Sequence, residues 1–342
     1  MAATYKDIQK MTGLSLSTIS KYFNGGNVRP DNAEAIKRAA SELDYRVNSF
    51  AQSLRTQKSK TVGVLLPDLT NTFHAQIISG VSLDLMHAGY GVIVGSFGES
   101  EESMDDAVEF LLSKMVDGLV VVPTAAGRLP VALQSASNGH PPVVVLDRTP
   151  SDDVDSVTVD NERAGLDVGR LLLAHGHRSI GILAGPQGLS STSQRAAGVL
   201  SAFSEVGADV PDANVVHTAL SVEQARQAAH GLLTRTDRPT SIFATNSELT
   251  VGAAIAIREL QLELPGDLSM VGFDNVDFAR ALPPGLDIVV QPVPEIAHAA
   301  AELLLARMEH AQDGQVAHRV LQCSMMRGAS VGAPPLAVRS VR

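Results

Sequence analysis

The chain has no tryptophan and only one cysteine, Cys323, among 342 residues. A single thiol excludes an internal disulfide and a cysteine-rich zinc site. Cys323 is left with the role of a small buried hydrophobe. No uncharged apolar stretch reaches the roughly 18 residues that a membrane-spanning helix needs. No early apolar run with a small-residue cleavage site occurs either, so a cytoplasmic protein is expected. Phosphate loops are also missing: no Gly-x-Gly-x-x-Gly follows an apolar run, and no Gly-x-x-x-x-Gly-Lys occurs. No Ser-His-Asp set suggests itself. The expectation is a non-enzyme with no cofactor and no metal. His175 and His177 straddle Gly176, where a helix-end turn is a simpler reading than a metal pair.

A net charge of −10 argues against nucleic acid until its distribution is considered. Residues 1–60 hold ten of the 27 Lys and Arg but five of the 37 Asp and Glu, so they carry +5 and the rest −15. A basic head on an acidic body can bind phosphates without the whole protein adhering to DNA.

Within that head, residues 14–24 have the pattern of a recognition helix. Ser15 can cap it, and Thr12-Gly13-Leu14 forms the tight connection before it. Ile19 and Phe23 share one side, i and i+4, while Ser17, Ser20, Lys21 and Asn24 fall on the other. That polar side suits base edges and phosphates; a small amphipathic surface helix would look the same. Periodicity alone puts Leu16 nearer the apolar side. Thr4 is placed to cap a preceding helix, Tyr5–Met11, with Ile8 and Met11 three apart. A third helix is expected from Pro30 to Leu43, with Ala33, Ile36, Ala40 and Leu43 on its apolar face.

Beyond residue 60 the texture changes to Val/Ile-rich runs alternating with helical segments. Nine runs are evident: Val62–Leu66, Val92–Val94, Leu119–Val122, Val143–Leu146, Val157–Val159, Ile180–Leu183, Ile242–Ala244, Met270–Phe273 and Ile288–Val290. Consecutive apolar positions indicate strands buried on both faces, as in parallel sheets. The βαβα order predicts doubly wound α/β units, and nine strands suggest two sheets.

Ligands of such sheets bind beyond the carboxyl ends of the strands. The residues there are Asp68, Asn71 and Phe73 after the first run, then Asp147-Arg148, Gly185-Pro186 with Arg195, Asn246, Asp274 and Gln291. Carboxylates accept and Arg donates, so together they suit vicinal hydroxyls. Asp147, Asn246 and Asp274 could equally cap a following helix or turn.

The ordered set Thr4-Tyr5-Lys6-Asp7-Ile8, Ser17-Thr18-Ile19-Ser20, Asn24-Gly25, Asp44-Tyr45-Arg46, Pro67-Asp68-Leu69-Thr70-Asn71, Asp147-Arg148, His175-Gly176-His177, Gly272-Phe273-Asp274 and Gln291-Pro292 resembles the LacI/GalR family of bacterial transcription regulators over essentially the whole chain. The resemblance implies a three-helix helix-turn-helix head over 1–46, a hinge helix over 47–59, and a periplasmic-binding-protein-like effector domain. Its first subdomain would comprise 60–161 with 292–322. The second would comprise 162–291 with 323–331, leaving 332–342 as a tail and crossings near 161, 291 and 322.

It further implies a homodimer on a palindromic double-stranded DNA operator, most simply as a repressor, with a small sugar-like effector in the cleft. The DNA contacts would be Thr4, Leu16, Ser17, Thr18, Ser20, Lys21, Asn24, Asn48, Ala51 and Leu54, the last wedged into the minor groove. The effector contacts would be Phe73, Asp147, Arg195, Asn246, Asp274 and Gln291. Several positions depart from the family pattern: Val47 replaces a usual Pro, Lys21 a usual Arg, and Ser247 a usual Asp. Leu220 stands where some members place an aromatic, which leaves Phe73 as the stacking surface. A sugar-binding protein of periplasmic type without a DNA role shares the two-subdomain fold; the basic head argues against it.

Overall fold

The computed structural model describes residues 3–23, 25–45, 58–98, 100–124, 127–133, 141–148, 154–309 and 315–336. The chain divides into two compact units, Met1–Ser59 and Lys60–Arg342.

The first unit holds helices α1 (Tyr5–Thr12), α2 (Leu16–Phe23) and α3 (Pro30–Glu42). Each helix contributes one fully buried isoleucine, Ile8, Ile19 and Ile36, to a small shared core. Rings close one side of it: Tyr5 stacks on Phe23 at 5.4 Å, and Tyr45 lies 5.1 Å from Phe23. Burial and the neighbouring Tyr5 push the Tyr45 hydroxyl up to about 12. Two apolar residues depart from the periodicity. Met11 is 47 % and Leu16 39 % exposed, because each sits at a helix end beyond the reach of the thin core. Ser15 caps α2, accepting from the Thr18 amide at 3.1 Å. The Thr4 amide and hydroxyl both donate to the Asp7 carboxylate, at 2.9 and 2.7 Å, which closes the start of α1.

The second unit contains two six-stranded sheets. The first has the strand order β11-β5-β4-β3-β1-β2: β1 (Thr61–Leu66), β2 (Gly91–Ser96), β3 (Gly118–Val121), β4 (Val143–Leu146), β5 (Asp155–Val159) and β11 (His318–Leu321). The second has the order β12-β10-β9-β8-β6-β7: β6 (Ile180–Ala184), β7 (Val215–His217), β8 (Ser241–Ala244), β9 (Ser269–Phe273), β10 (Asp287–Val290) and β12 (Ser324–Met326). Among the described residues, all pairings are parallel except β10 with β12.

Consecutive apolar residues serve two cores, one on each face. In β1, Val62, Val64 and Leu66 meet one cluster, and Leu65 meets another. In β8, Ile242 and Ala244 face one side and Phe243 the other. Helices α4 (Thr72–His87), α5 (Glu101–Ser113) and α11 (Val293–Glu309) supply the cores of the first sheet. The second sheet is flanked by α6 (Asn161–Ala174), α7 (Ser190–Glu205), α8 (Val222–Leu233) and α9 (Ser247–Glu259), with a short α10 (Val276–Ala281) after β9. The chain passes between the sheets after β5, after β10 and between β11 and β12.

Strands β7, β11 and β12 are absent from the sequence reading. They are short and partly exposed, at or beside sheet edges, so they lack a continuous apolar run. Gly332, expected in the tail, still belongs to the packed body: its amide donates to Ser269 Oγ at 3.0 Å.

Candidate functional site

Asp147 and Asp274 occupy equivalent places in the two sheets, each directly after the last residue of a central strand, β4 or β9. Each keeps its amide in the ladder, to Val157 O at 3.2 Å and to Val289 O at 2.8 Å respectively. Each then turns left-handed, φ 65° and 58°. Aspartate tolerates this region better than most residues. Neither caps a helix; it is Asn275 that caps α10.

Both side chains line a cavity of about 420 Å³ between the carboxyl ends of the sheets, within the range of small-molecule sites. Phe73, Arg195, Asn246 and Gln291 line the same cavity, so all six effector candidates converge there. Phe73, Leu189 and Leu220 give it apolar walls.

Arg195 belongs to the second turn of α7. The polar run Ser190-Ser191-Thr192-Ser193 resembles a loop in sequence but is helical. The guanidinium is also not a surface group, being 3 % exposed. Its Nε donates to Asn161 Oδ1 at 2.7 Å and Nη1 to Thr245 O at 2.8 Å, and its plane lies 3.6 Å from the centre of the Phe273 ring. Nη2 is buried without a hydrogen-bond partner and stands 3.9 Å from Asp147. A buried donor left unpaired is costly, and a ligand oxygen would satisfy it.

Helices α6 and α7 touch through glycines. A Cβ at Gly165 would lie 2.0 Å from the Arg195 carbonyl oxygen, and one at Gly198 would lie 2.0 Å from Glu162 O. The missing side chains therefore set the position of Arg195.

Gln291 Nε2 donates to Asp274 Oδ2 at 2.7 Å. Burial nevertheless raises the Asp274 carboxyl to about 6, against the lowering pull of Arg195 and Gln291. Asn246 is a cap: its Oδ1 accepts from Leu249 N at 2.9 Å, while its Nδ2 donates to Glu248 at 2.6 Å. Asn161, Glu248 and His74 were missed as site residues. Asn161 is legible by the same rule as Asp147, since it follows an apolar run by two residues. His74 Nδ1 lies 2.7 Å from Asp68 O. A carbonyl only accepts, so Nδ1 carries the proton.

The two other histidines singled out in sequence are committed elsewhere. His175 caps α6, and His177 is buried against Thr240, Ser269 and Gly332.

In the first unit, Leu16, Ser17 and Lys21 are exposed along α2, with Thr18 and Ser20 half-buried beside them and Thr4 at the head of α1. Asn24, Asn48, Ala51 and Leu54 lie outside the described residues.

A family model described as periplasmic binding proteins and sugar binding domain of LacI family matches residues 59–316. The chain belongs to the LacI/GalR family of transcription regulators. It is 30 % identical to the ribose operon repressor of Haemophilus influenzae over 310 residues, 90 % of this chain and 92 % of that one. It is 27 % identical to the HTH-type transcriptional repressor CytR of Escherichia coli over 337 residues, 98 % of both chains. In fold it is similar to the lac repressor dimer bound to operator and an anti-inducer, with a TM-score of 0.84 and 24 % identity over 97 % of this chain and all of that one. The sheets flanking the cleft are thus those of a LacI-family effector domain.

Proposed function

We propose that this LacI-family protein is a repressor that binds a palindromic operator as a dimer and answers to a small, polar, uncharged effector in the cleft. The observation that carries the effector half is the buried, unpartnered Arg195 Nη2 beside Asp147 in a cavity of about 420 Å³. Asp68, Asp147, Glu248 and Asp274 line the cavity together with Arg148 and Arg195. Acceptors outnumber cations, so a donor-rich, neutral polyol or nucleoside fits and an anion does not. Phe73, Leu189 and Leu220 would cover the ring faces. The name of the ribose operon repressor accords with a sugar-like ligand.

In the head, α2 would lie in the major groove, with Leu16, Ser17 and Lys21 on base edges and Thr4, Thr18, Ser20 and Asn24 on the backbone. The hinge over 47–59 would pair across the dimer, with Asn48 capping it, Ala51 on its contact face and Leu54 inserted into the minor groove. The effector domain would divide into 60–161 with 292–322, and 162–291 with 323–331. Exposed Leu83 and Met86 of α4 and Val94 of β2 would supply apolar surface for dimerisation. Effector binding would favour one arrangement of the two halves and change the separation of the heads.

The test is selection from random duplexes, followed by a melting screen of sugars and nucleosides, since a ligand specific to the folded state raises its melting point. An enriched two-fold-symmetric site released or tightened by a screen hit is expected. A protein that binds a sugar but enriches no duplex is a binding protein without a DNA role.

A further inference from the structure

The first turns of α4 and α9 begin on opposite sides of the cleft, each capped by an asparagine. Asn71 Oδ1 accepts from the Phe73 and His74 amides, at 2.8 and 3.3 Å. Asn246 Oδ1 accepts from the Leu249 amide at 2.9 Å. Backbone amides only donate, so these bonds identify the oxygen of each side chain. The amide nitrogens must point away from their helices, and both reach the same carboxylate. Asn71 Nδ2 donates to Glu248 Oε1 at 2.9 Å, across 177 residues of sequence, and Asn246 Nδ2 donates to Glu248 Oε2 at 2.6 Å. Glu248 sits in the first turn of α9, where the helix N-terminus favours negative charge.

We infer that Glu248 is a positioning residue that ties the two sides of the effector cleft together in the free protein and holds the Asn246 amide in place until a ligand oxygen takes over that amide. The inference rests on the reading of the cleft as the effector site. Two facing donors need two acceptors, and among side chains of this length only a carboxylate supplies both. A second polar approach across the cleft, Arg195 to Asp147, is longer at 3.9 Å. The short tie therefore runs through Glu248. It places a protein oxygen on an amide that a ligand hydroxyl would otherwise occupy. Effector binding at Asn246 and release of the tie are then one exchange of acceptors.

This arrangement predicts a reciprocal pattern of variants. Glu248→Gln keeps the shape but offers one acceptor and one donor, so one amide loses its partner. Asn71→Asp keeps the helix cap but turns an acceptor toward an acceptor. With both substitutions the glutamine amide donates to the aspartate and its carbonyl accepts from Asn246, which restores every bond.

Spin labels at Leu69→Cys and Gln187→Cys, on exposed rims of the two sides, report the cleft width of the full chain in a Cys323→Ser background. Pulsed electron-electron resonance without effector or DNA should give a short distance for the parent. Each single variant should raise the opened population roughly ten-fold, the scale of one lost hydrogen bond to a charged group. The double variant should return to the parent distance. Single variants with the parent's distribution, or a double variant that stays open, would overturn the inference. The measurement involves no operator and no effector. Failure of the proposed function in a gel shift is thereby separable from failure of the tie.

Discussion

Arg195 allows the sharpest test of the effector site, but alanine is the wrong substitution. The side chain is buried, fills space against Phe273 and satisfies Asn161 Oδ1 and the Thr245 carbonyl. Truncation would leave both acceptors and Asp147 without a cation and destabilise the fold by about 3–5 kcal/mol. Arg195→Lys keeps the charge and most of the volume. A lysine can reach one of the two acceptors, so one hydrogen bond to a charged group is lost, about 1.5–3 kcal/mol. Removal of the buried, unpaired Nη2 offsets roughly 1 kcal/mol of that. The net is a loss of about 0.5–2 kcal/mol, or a melting decrease of a few degrees at roughly 2–4 °C per kcal/mol.

The effect on ligand should be larger, because lysine has no planar fork to offer two oxygens. Half-maximal response of a preformed operator complex, followed by fluorescence anisotropy, should need about 10–100-fold more effector. Operator affinity without effector should be unchanged. If the variant responds at the wild-type effector concentration while melting a few degrees lower, Arg195 is structural and Nη2 does not meet the ligand.

Lys21→Ala should weaken operator binding by about 1–3 kcal/mol and relax one base position, as expected for a base contact; an identical selected site for variant and wild type would place Lys21 on the backbone instead. Effector affinity should fall as pH drops below about 6, by up to about ten-fold per unit, because Asp274 is then protonated and loses acceptor capacity. Calorimetric titration between pH 5 and 8 checks this, and a flat profile would remove Asp274 from the contact set. Burial lowers the His177 imidazole from its ordinary value of 6.5. The unfolded chain therefore binds more protons between the lowered folded value and about pH 6.5, so this contribution is full above 6.5 and is lost as pH falls from there through the folded value. His177→Gln should flatten that part of the melting profile, and an unchanged slope would assign the dependence to other groups.

The central strands were legible because burial on both faces leaves a continuous apolar signature. The partly exposed strands β7, β11 and β12 were not, since each presents too few apolar residues in a row. The start of helix α7 is not evident in the sequence, because its first turn is all hydroxyl side chains, which in isolation favour turns. In the protein, Ser191 and Thr192 are buried and line the cleft. The six effector candidates could be found one at a time, each as a residue beyond the carboxyl end of a strand. Glu248 could not, because its meaning depends on Asn71 across the cleft. Leu16 shows the limit of periodicity in a short helix. The wheel assigns it an apolar side, but the small core ends before reaching it.

Each of the three connections between the sheets carries a polar side chain that holds a partner. After β5 comes Asn161, which holds Arg195; after β10 comes Gln291, which holds Asp274; between β11 and β12 comes Gln322, 3.4 Å from Asp160. Two of these joint residues thus hold polar groups that line the cavity, Arg195 and Asp274, and Gln291 lines it itself. A lineage that acquires a new effector cannot freely alter Asn161 or Gln291 without disturbing Arg195 or Asp274. Phe73, Leu189 and Leu220 carry no such double duty. Divergence of ligand preference should begin at those three walls, and a laboratory redesign that varies them while leaving the joints intact should change the effector and keep the switch.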